Sequence, residues 1–169
     1  MTTATAPATK SVTSAEGRDL ILTRHIAAPR ERVFRAWTDP EMIVKWFTPA
    51  PWKTTAAKMD VRAGGSSVIT MQSPEGQEFP NRGVFLEVVP NEKLVFTNAF
   101  TSAWEPMERP EHGPAFLVTF VLTFEDENGG TRYTARLKHW TLDDLKVHEQ
   151  MGFHQGWPIS TEQLAALVE

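Results

Sequence analysis

The stretch AFLVTFVLTFEDENGGTRYTARLKHWTLDD, residues 115–144, holds two strand-like runs, a turn and a helix start. Successive side chains of a strand point to opposite faces. In AFLVTFVLTF one face therefore carries Phe116, Val118, Phe120, Leu122 and Phe124, all apolar, and is expected to look inward. The other face mixes Leu117, Thr119, Val121 and Thr123. ENGG follows as a turn signal. In TRYTARLKHW the inward set is Tyr133, Ala135, Leu137 and His139, while Arg136 and Lys138 point to water. Two alternating runs joined by a tight turn read as an antiparallel hairpin. Thr141 with Asp144 three positions on has the pattern of a helix N-cap. One long helix is expected to run from there to the C-terminus.

Toward the N-terminus the same grammar repeats. KTTAAKMDVR, SSVITMQ, GVFLEVV and KLVFTNAF are short β-rich runs separated by Gly64-Gly65, SPEGQ and Pro90-Asn91-Glu92. Inward positions are Ile69 and Met71 in the second run, and Leu94, Phe96, Asn98 and Phe100 in the fourth. The register of GVFLEVV stays open between Val84, Leu86 and Val88 on the one hand and Phe85 and Val89 on the other. A first strand is expected near Asp19–Ile26. The segment AAPRERVFRAWTDP then suits a helix, with Pro29 in its first turn and Val33, Phe34 and Trp37 on one stripe. Arg30, Arg32 and Arg35 lie off that stripe and read as a solvated face. After Asp39-Pro40, PEMIVKWF makes a second short helix. The fold class is thus α+β: a strand, two short helices, a meander completing an antiparallel sheet of about seven strands, and a long C-terminal helix. One helix must cover the apolar face of that sheet, and a curved sheet gripping a helix leaves space for a ligand.

The bulk composition narrows the classes. With 169 residues, 41% hydrophobic and 22% charged, the chain fits one soluble globular domain. A net charge of −4 is of the wrong sign for a nucleic-acid-binding face. The absence of cysteine excludes disulfides, thiolate metal sites and a Cys nucleophile. Residues 1–17, MTTATAPATKSVTSAEG, lack an apolar signal core and read as a disordered tail, leaving 18–169 as a single domain. No apolar run reaches membrane-span length, so no membrane insertion and a cytoplasmic location are expected. His148 and His154 are six apart, HExxH spacing does not occur, and Gly64-Gly65 lacks phosphate-loop spacing. No metal and no cofactor are expected.

Five segments, in order, resemble the START-like (SRPBCC, helix-grip) superfamily, in the branch of the C-terminal domain of the activator of heat-shock-protein-90 ATPase. They are IAAPRERVFRAWTDPEMIVKWF (26–47), DVRAGGSSVITMQSPEGQEFPNRG (60–83), LEVVPNEKLVFT (86–97), GGTRYTARLKHW (129–140) and HEQMGFHQGW (148–157). The resemblance covers about residues 19 to 168. It implies a helix-grip fold, a homodimer in many members, and three functional directions. These are a cavity for a small hydrophobic molecule, a chaperone-partner module, and a polyketide cyclase or aromatase. The superfamily hosts all three, so fold alone does not choose among them.

The residues favour binding. Phe96, Phe116, Phe120 and Tyr133 supply an aromatic inward face, and Met151 and Gln155, with Trp157, are expected to reach it from the long helix. Asn98 and His139 are polar residues on apolar rows, where each must find a partner or orient a ligand. No nucleophile–base pair is legible, so no catalytic residue is assigned; His139 with Asn98 or Tyr133 would serve the cyclase reading. The Pro-rich connection TSAWEPMERPEHGP, residues 101–114, is a candidate lid, with Trp104 and Met107 to drop over a cavity mouth. In EQMGFHQGWPIS, residues 149–160, Gly152 and Gly156 are expected on one helix face and Pro158 is expected to kink the helix.

Overall fold

The computed structural model describes residues 10–108 and 117–169. Its sheet has eight antiparallel strands, in the order β1-β2-β8-β7-β6-β5-β4-β3. The strands are β1 Val12–Glu16, β2 Asp19–Ile26, β3 Lys53–Met59, β4 Ser66–Gln72, β5 Glu78–Val89, β6 Lys93–Thr97, β7 Val118–Glu127 and β8 Gly130–His139. Helices α1 Arg30–Thr38 and α2 Pro40–Ile43 follow β2, and α3 Leu142–Gln150 and α4 Phe153–Val168 close the chain. Pairing of β2 with β8 joins the two ends of the chain within the sheet.

The β7–β8 hairpin forms as its sequence demands. Asn128 and Gly129 form its two-residue turn with φ of 48° and 75°, the left-handed pair that matches the twist of the flanking strands. Val118, Leu122, Phe124, Tyr133, Ala135 and Leu137 are all within 1% of complete burial. Thr141 caps α3 by accepting a hydrogen bond from the Asp144 N–H at 3.0 Å. On α1 the buried set is Val33, Phe34, Ala36 and Trp37. Phe34 meets Phe124 edge-on at 5.5 Å, which ties the helix to the sheet.

Three expectations change. The strand count rises from about seven to eight because Val12–Glu16, read above as tail, pairs with β2 across a turn at Gly17. That strand is exposed at four of its five positions, so it carries no alternation for a sequence reading to find. The long C-terminal helix is two helices. Gly152 sits at φ 100°, a left-handed conformation that ends α3 and turns the chain into α4. The break falls there, ahead of Pro158, which lies inside α4. Third, β5 carries a bulge between Phe85 and Glu87. Phe85 is 2% exposed and Leu86 38% exposed, while Val88 packs against the core. Neither simple alternation fits because the bulge switches the inward row partway along the strand.

The arginines of α1 also gain specific partners. Arg30 pairs with Glu92 at 3.7 Å and Asp126 at 3.6 Å, and Arg32 donates to the Val168 carbonyl at 2.8 Å. On the core-facing row of β2, Arg24 is 5% exposed. It reaches Glu162 at 2.8 Å and Glu169 at 3.0 Å, fastening α4 to the sheet. The helix α4 packs on β1, β2 and α1, and α1 packs on β7 and β8. The helices thus cover the β1–β2–β8–β7 half of the sheet. On the other half α2 packs against β3, and open space lies between β4–β6 and the helices.

Candidate functional site

That space is a cavity of about 570 Å³. The sheet contributes Ser67, Ile69 and Met71 from β4, Gly83 from β5, Phe96 and Thr97 from β6, Phe120 from β7 and Tyr133 from β8. Trp37 of α1 and Trp46, Phe47 and Pro49 beyond α2 form a second wall. The third wall is the α3–α4 junction, with His148, Met151, Gly152, Phe153, Gly156 and Trp157.

The rings are organised. Phe96 and Phe120 stack at 4.5 Å with planes 15° apart. Phe120 and Trp157 continue the row at 6.0 Å and 21°. Near-parallel rings along one wall suit a flat apolar molecule. Gly156 faces Pro49: a Cβ there would stand 3.6 Å from the proline Cγ. The missing side chain therefore leaves the space between α4 and the post-α2 segment open.

Of the residues expected to bind, Phe96, Asn98, Phe120, Tyr133 and Met151 line the cavity. Asn98 is also bound into the sheet, its Oδ1 accepting from the Val118 N–H at 2.8 Å. Phe116 lies outside the described residues. Gln155 is exposed on α4 and is absent from the cavity wall; the break at Gly152 rotates it away from the position a continuous helix would give. His139 stands behind the wall, not on it. Of the candidate lid, Met107 lines the cavity. Trp104 is 55% exposed and lies over the Gly64 turn. Residues 109–116 lie outside the described ones.

His139 has a different task. Its Nδ1 lies 3.1 Å from the Arg18 carbonyl and its Nε2 lies 2.9 Å from His148 Nδ1. A carbonyl only accepts, so Nδ1 of a neutral His139 carries the proton, and its Nε2 accepts from His148 Nδ1–H. Burial holds the His139 pKa below its usual value, against the opposing pull of the Arg18 carbonyl and Asp144. His148 is pushed further down, to about 3, first by burial and then by repulsion from His139 and His154. Two neutral histidines thus support the cavity wall, His139 from the end of β8 and His148 from the last turn of α3. On the next helix, His154 Nδ1 lies 2.7 Å from the Thr13 hydroxyl and its Nε2 lies 2.7 Å from Glu149, tying β1, α3 and α4 together.

Trp37 and His148 are wall residues that the sequence reading assigned elsewhere. Trp37 belongs to an apolar stripe that predicts core, and the spacing of His148 from His154 argues against a metal pair; only tertiary placement shows Trp37 and His148 reaching the cavity. Among the described residues no group of three or more His, Asp or Glu is placed to hold a metal ion. No helix among them is long and apolar enough to cross a membrane.

The fold and the sequence have clear relatives. A crystal structure of a Nitrosomonas europaea protein is 39% identical, covering 91% of this chain and 96% of that one, with a TM-score of 0.84. A Chromobacterium violaceum protein is 25% identical, covering 90% and 97%, with a TM-score of 0.71. A Mycobacterium smegmatis protein at 24% identity covers 96% and 98% with a TM-score of 0.77, a likeness of fold. No curated protein matches significantly. Residues 27–169 match the family described as Activator of Hsp90 ATPase homolog 1-like protein. The chain belongs to that family, within the SRPBCC superfamily, and its fold is the helix grip.

Proposed function

We propose that the protein is a non-catalytic binding protein for a small hydrophobic or aromatic molecule, held between the sheet and the C-terminal helices. The observation that carries this reading is the cavity of about 570 Å³ walled by Phe96, Phe120, Phe153 and Trp157. Its size lies within the range of small-molecule sites, which are mostly apolar with a few polar groups. Of the residues around it, Arg82 and Glu108 are charged at neutral pH, and both are exposed. A charged ligand body would therefore lack a buried counter-charge, which disfavours it strongly. Carriage, sequestration or sensing in the cytoplasm is the role that suits such a site.

The test uses the neutral fluorophore N-phenyl-1-naphthylamine. The wild-type chain is expected to bind it saturably at one site, with enhanced emission. Gly156→Leu, which fills the gap between α4 and Pro49, is expected to weaken binding at least tenfold while the thermal midpoint stays within a few degrees. No saturable binding by the wild-type protein, or equal binding by the variant, would contradict the proposal. The family description names an ATPase activator; on this proposal the purified chain leaves the ATPase rate of a heat-shock-protein-90 chaperone unchanged.

A further inference from the structure

The cavity wall includes a buried donor with no partner. Among the described residues, two buried side-chain polar atoms make no hydrogen bond: Arg30 Nε and Trp37 Nε1. Arg30 Nε lies 3.6 Å from Asp126 Oδ1, so its charge is compensated. Trp37 Nε1 has only the Tyr133 phenol oxygen near it, outside hydrogen-bond geometry. The neighbouring Trp46 shows the ordinary solution, its Nε1 donating to the Ala36 carbonyl at 3.0 Å. Trp37 is 2% exposed and lines the cavity. A buried N–H left unpaired is destabilising, and such groups are rare in native proteins unless something else completes them.

Tyr133 stands beside it. The two rings lie 6.5 Å apart and tilted by 32°. Tyr133 is 1% exposed and also lines the cavity. The Trp37 N–H neighbours the phenol oxygen without reaching hydrogen-bond geometry. Burial raises the phenol pKa, so at neutral pH this group is a neutral O–H donor. Two donors, from α1 and β8, thus stand side by side in the cavity wall, close to the stacked Phe96 and Phe120 rings.

We propose that Trp37 Nε1 and the Tyr133 hydroxyl form a paired donor site for one acceptor oxygen of the ligand, which makes the ligand class a neutral, flat aromatic carbonyl compound. This rests on the cavity reading above and narrows it. A carboxylate is disfavoured because neither donor is charged and no cation stands beside them to offset its desolvation. A pure hydrocarbon would leave the Trp37 N–H unpaired. A carbonyl oxygen has two lone pairs and can accept from both donors while its aromatic body lies along Phe96, Phe120 and Trp157.

The experiment compares 2-acetylnaphthalene with 2-isopropenylnaphthalene, near-isosteres with and without the acceptor. Affinities are measured for wild type and Tyr133→Phe, and the Trp37 indole N–H signal is followed by ¹H–¹⁵N NMR in wild type. The expected result is that Tyr133→Phe weakens the ketone about tenfold, the size of one hydrogen bond, and leaves the hydrocarbon within twofold. The ketone, and not the hydrocarbon, moves the Trp37 indole proton downfield. If the variant fails to fold, the indole shift alone decides. Equal effects of Tyr133→Phe on both probes with no ketone-specific Trp37 shift overturn the donor site and leave cavity binding standing. Failure of both probes to bind wild type overturns the cavity reading and the donor site with it.

Discussion

Mild acid should destabilise this fold by a defined amount through His148. In the native state its pKa is about 3; in an unfolded chain a histidine titrates near 6.5. Between pH 7 and pH 5 the unfolded state gains most of a proton at this residue while the native state gains almost none. The unfolded state binds more protons, so stability falls as pH falls, starting near 6.5 and levelling off near 3. Integrating the linkage from pH 7 to pH 5 gives about 2 kcal/mol for His148 alone. His139 is shifted in the same direction by its burial and adds to the loss. The groups facing the pair are Asp144 and Asp19 on the His139 side and the Glu149-bound His154 on the other. The carboxylates act elsewhere on the pH scale. Asp19, against its own burial, is held low by Arg136 and Lys138, and Glu162 is held low by hydrogen bonds from Arg24. Both lose their contribution below the ordinary carboxylate range, outside this window. The assay is urea denaturation followed by circular dichroism at pH 7, 6 and 5. His148→Asn keeps a donor for His139 Nε2 and removes the titration. Wild type should lose about 2 kcal/mol more than the variant over the window. Equal losses in the two proteins would refute the reasoning, because the acid sensitivity would then lie elsewhere.

Two further predictions follow from packing and charge. Phe85→Ala should lower stability by about 3–4 kcal/mol, whereas Leu86→Ala should change it by less than about 0.5 kcal/mol, because the bulge turns Phe85 inward and Leu86 outward; comparable effects in urea denaturation would mean that the bulge is misplaced. Arg24→Met should lose about 2 kcal/mol, a loss smaller than for a fully buried pair because Glu162 and Glu169 remain 48% and 35% exposed; the check is a urea midpoint at low and high salt, and an unchanged midpoint would show that the pair does not fasten α4.

What could be read from the sequence depended on how local the information was. The β7–β8 hairpin was legible over its described residues, because alternation on each side of Asn128-Gly129 marks both the turn and the buried face. The α3 cap was legible for the same reason, since Thr141 and Asp144 lie within one turn. β1 was hidden because its side chains are mostly exposed, so pairing with β2 leaves no hydrophobic pattern. The break at Gly152 was visible as a poor helix former, but its left-handed conformation was not. Gln155 was assigned to the cavity on a single continuous helix, which the break at Gly152 divides. Asn98 and His139 stood out as polar residues on apolar rows. Their partners, the Val118 N–H and the Arg18 carbonyl with His148, come from distant strands and a helix that only the assembled fold brings close.

The six tryptophans provide the most direct measurement of the binding claim. Trp37, Trp46 and Trp157 line the cavity, while Trp52, Trp104 and Trp140 are 38%, 55% and 45% exposed elsewhere on the surface. Each indole N–H gives its own ¹H–¹⁵N signal, so a titration with 2-acetylnaphthalene reads inside and outside at once. Ligand binding in the cavity predicts saturable shifts for Trp37, Trp46 and Trp157 that share one dissociation constant, with the other three signals unmoved. Saturable shifts confined to Trp52, Trp104 and Trp140, or no saturable shift at any of the six, would contradict it.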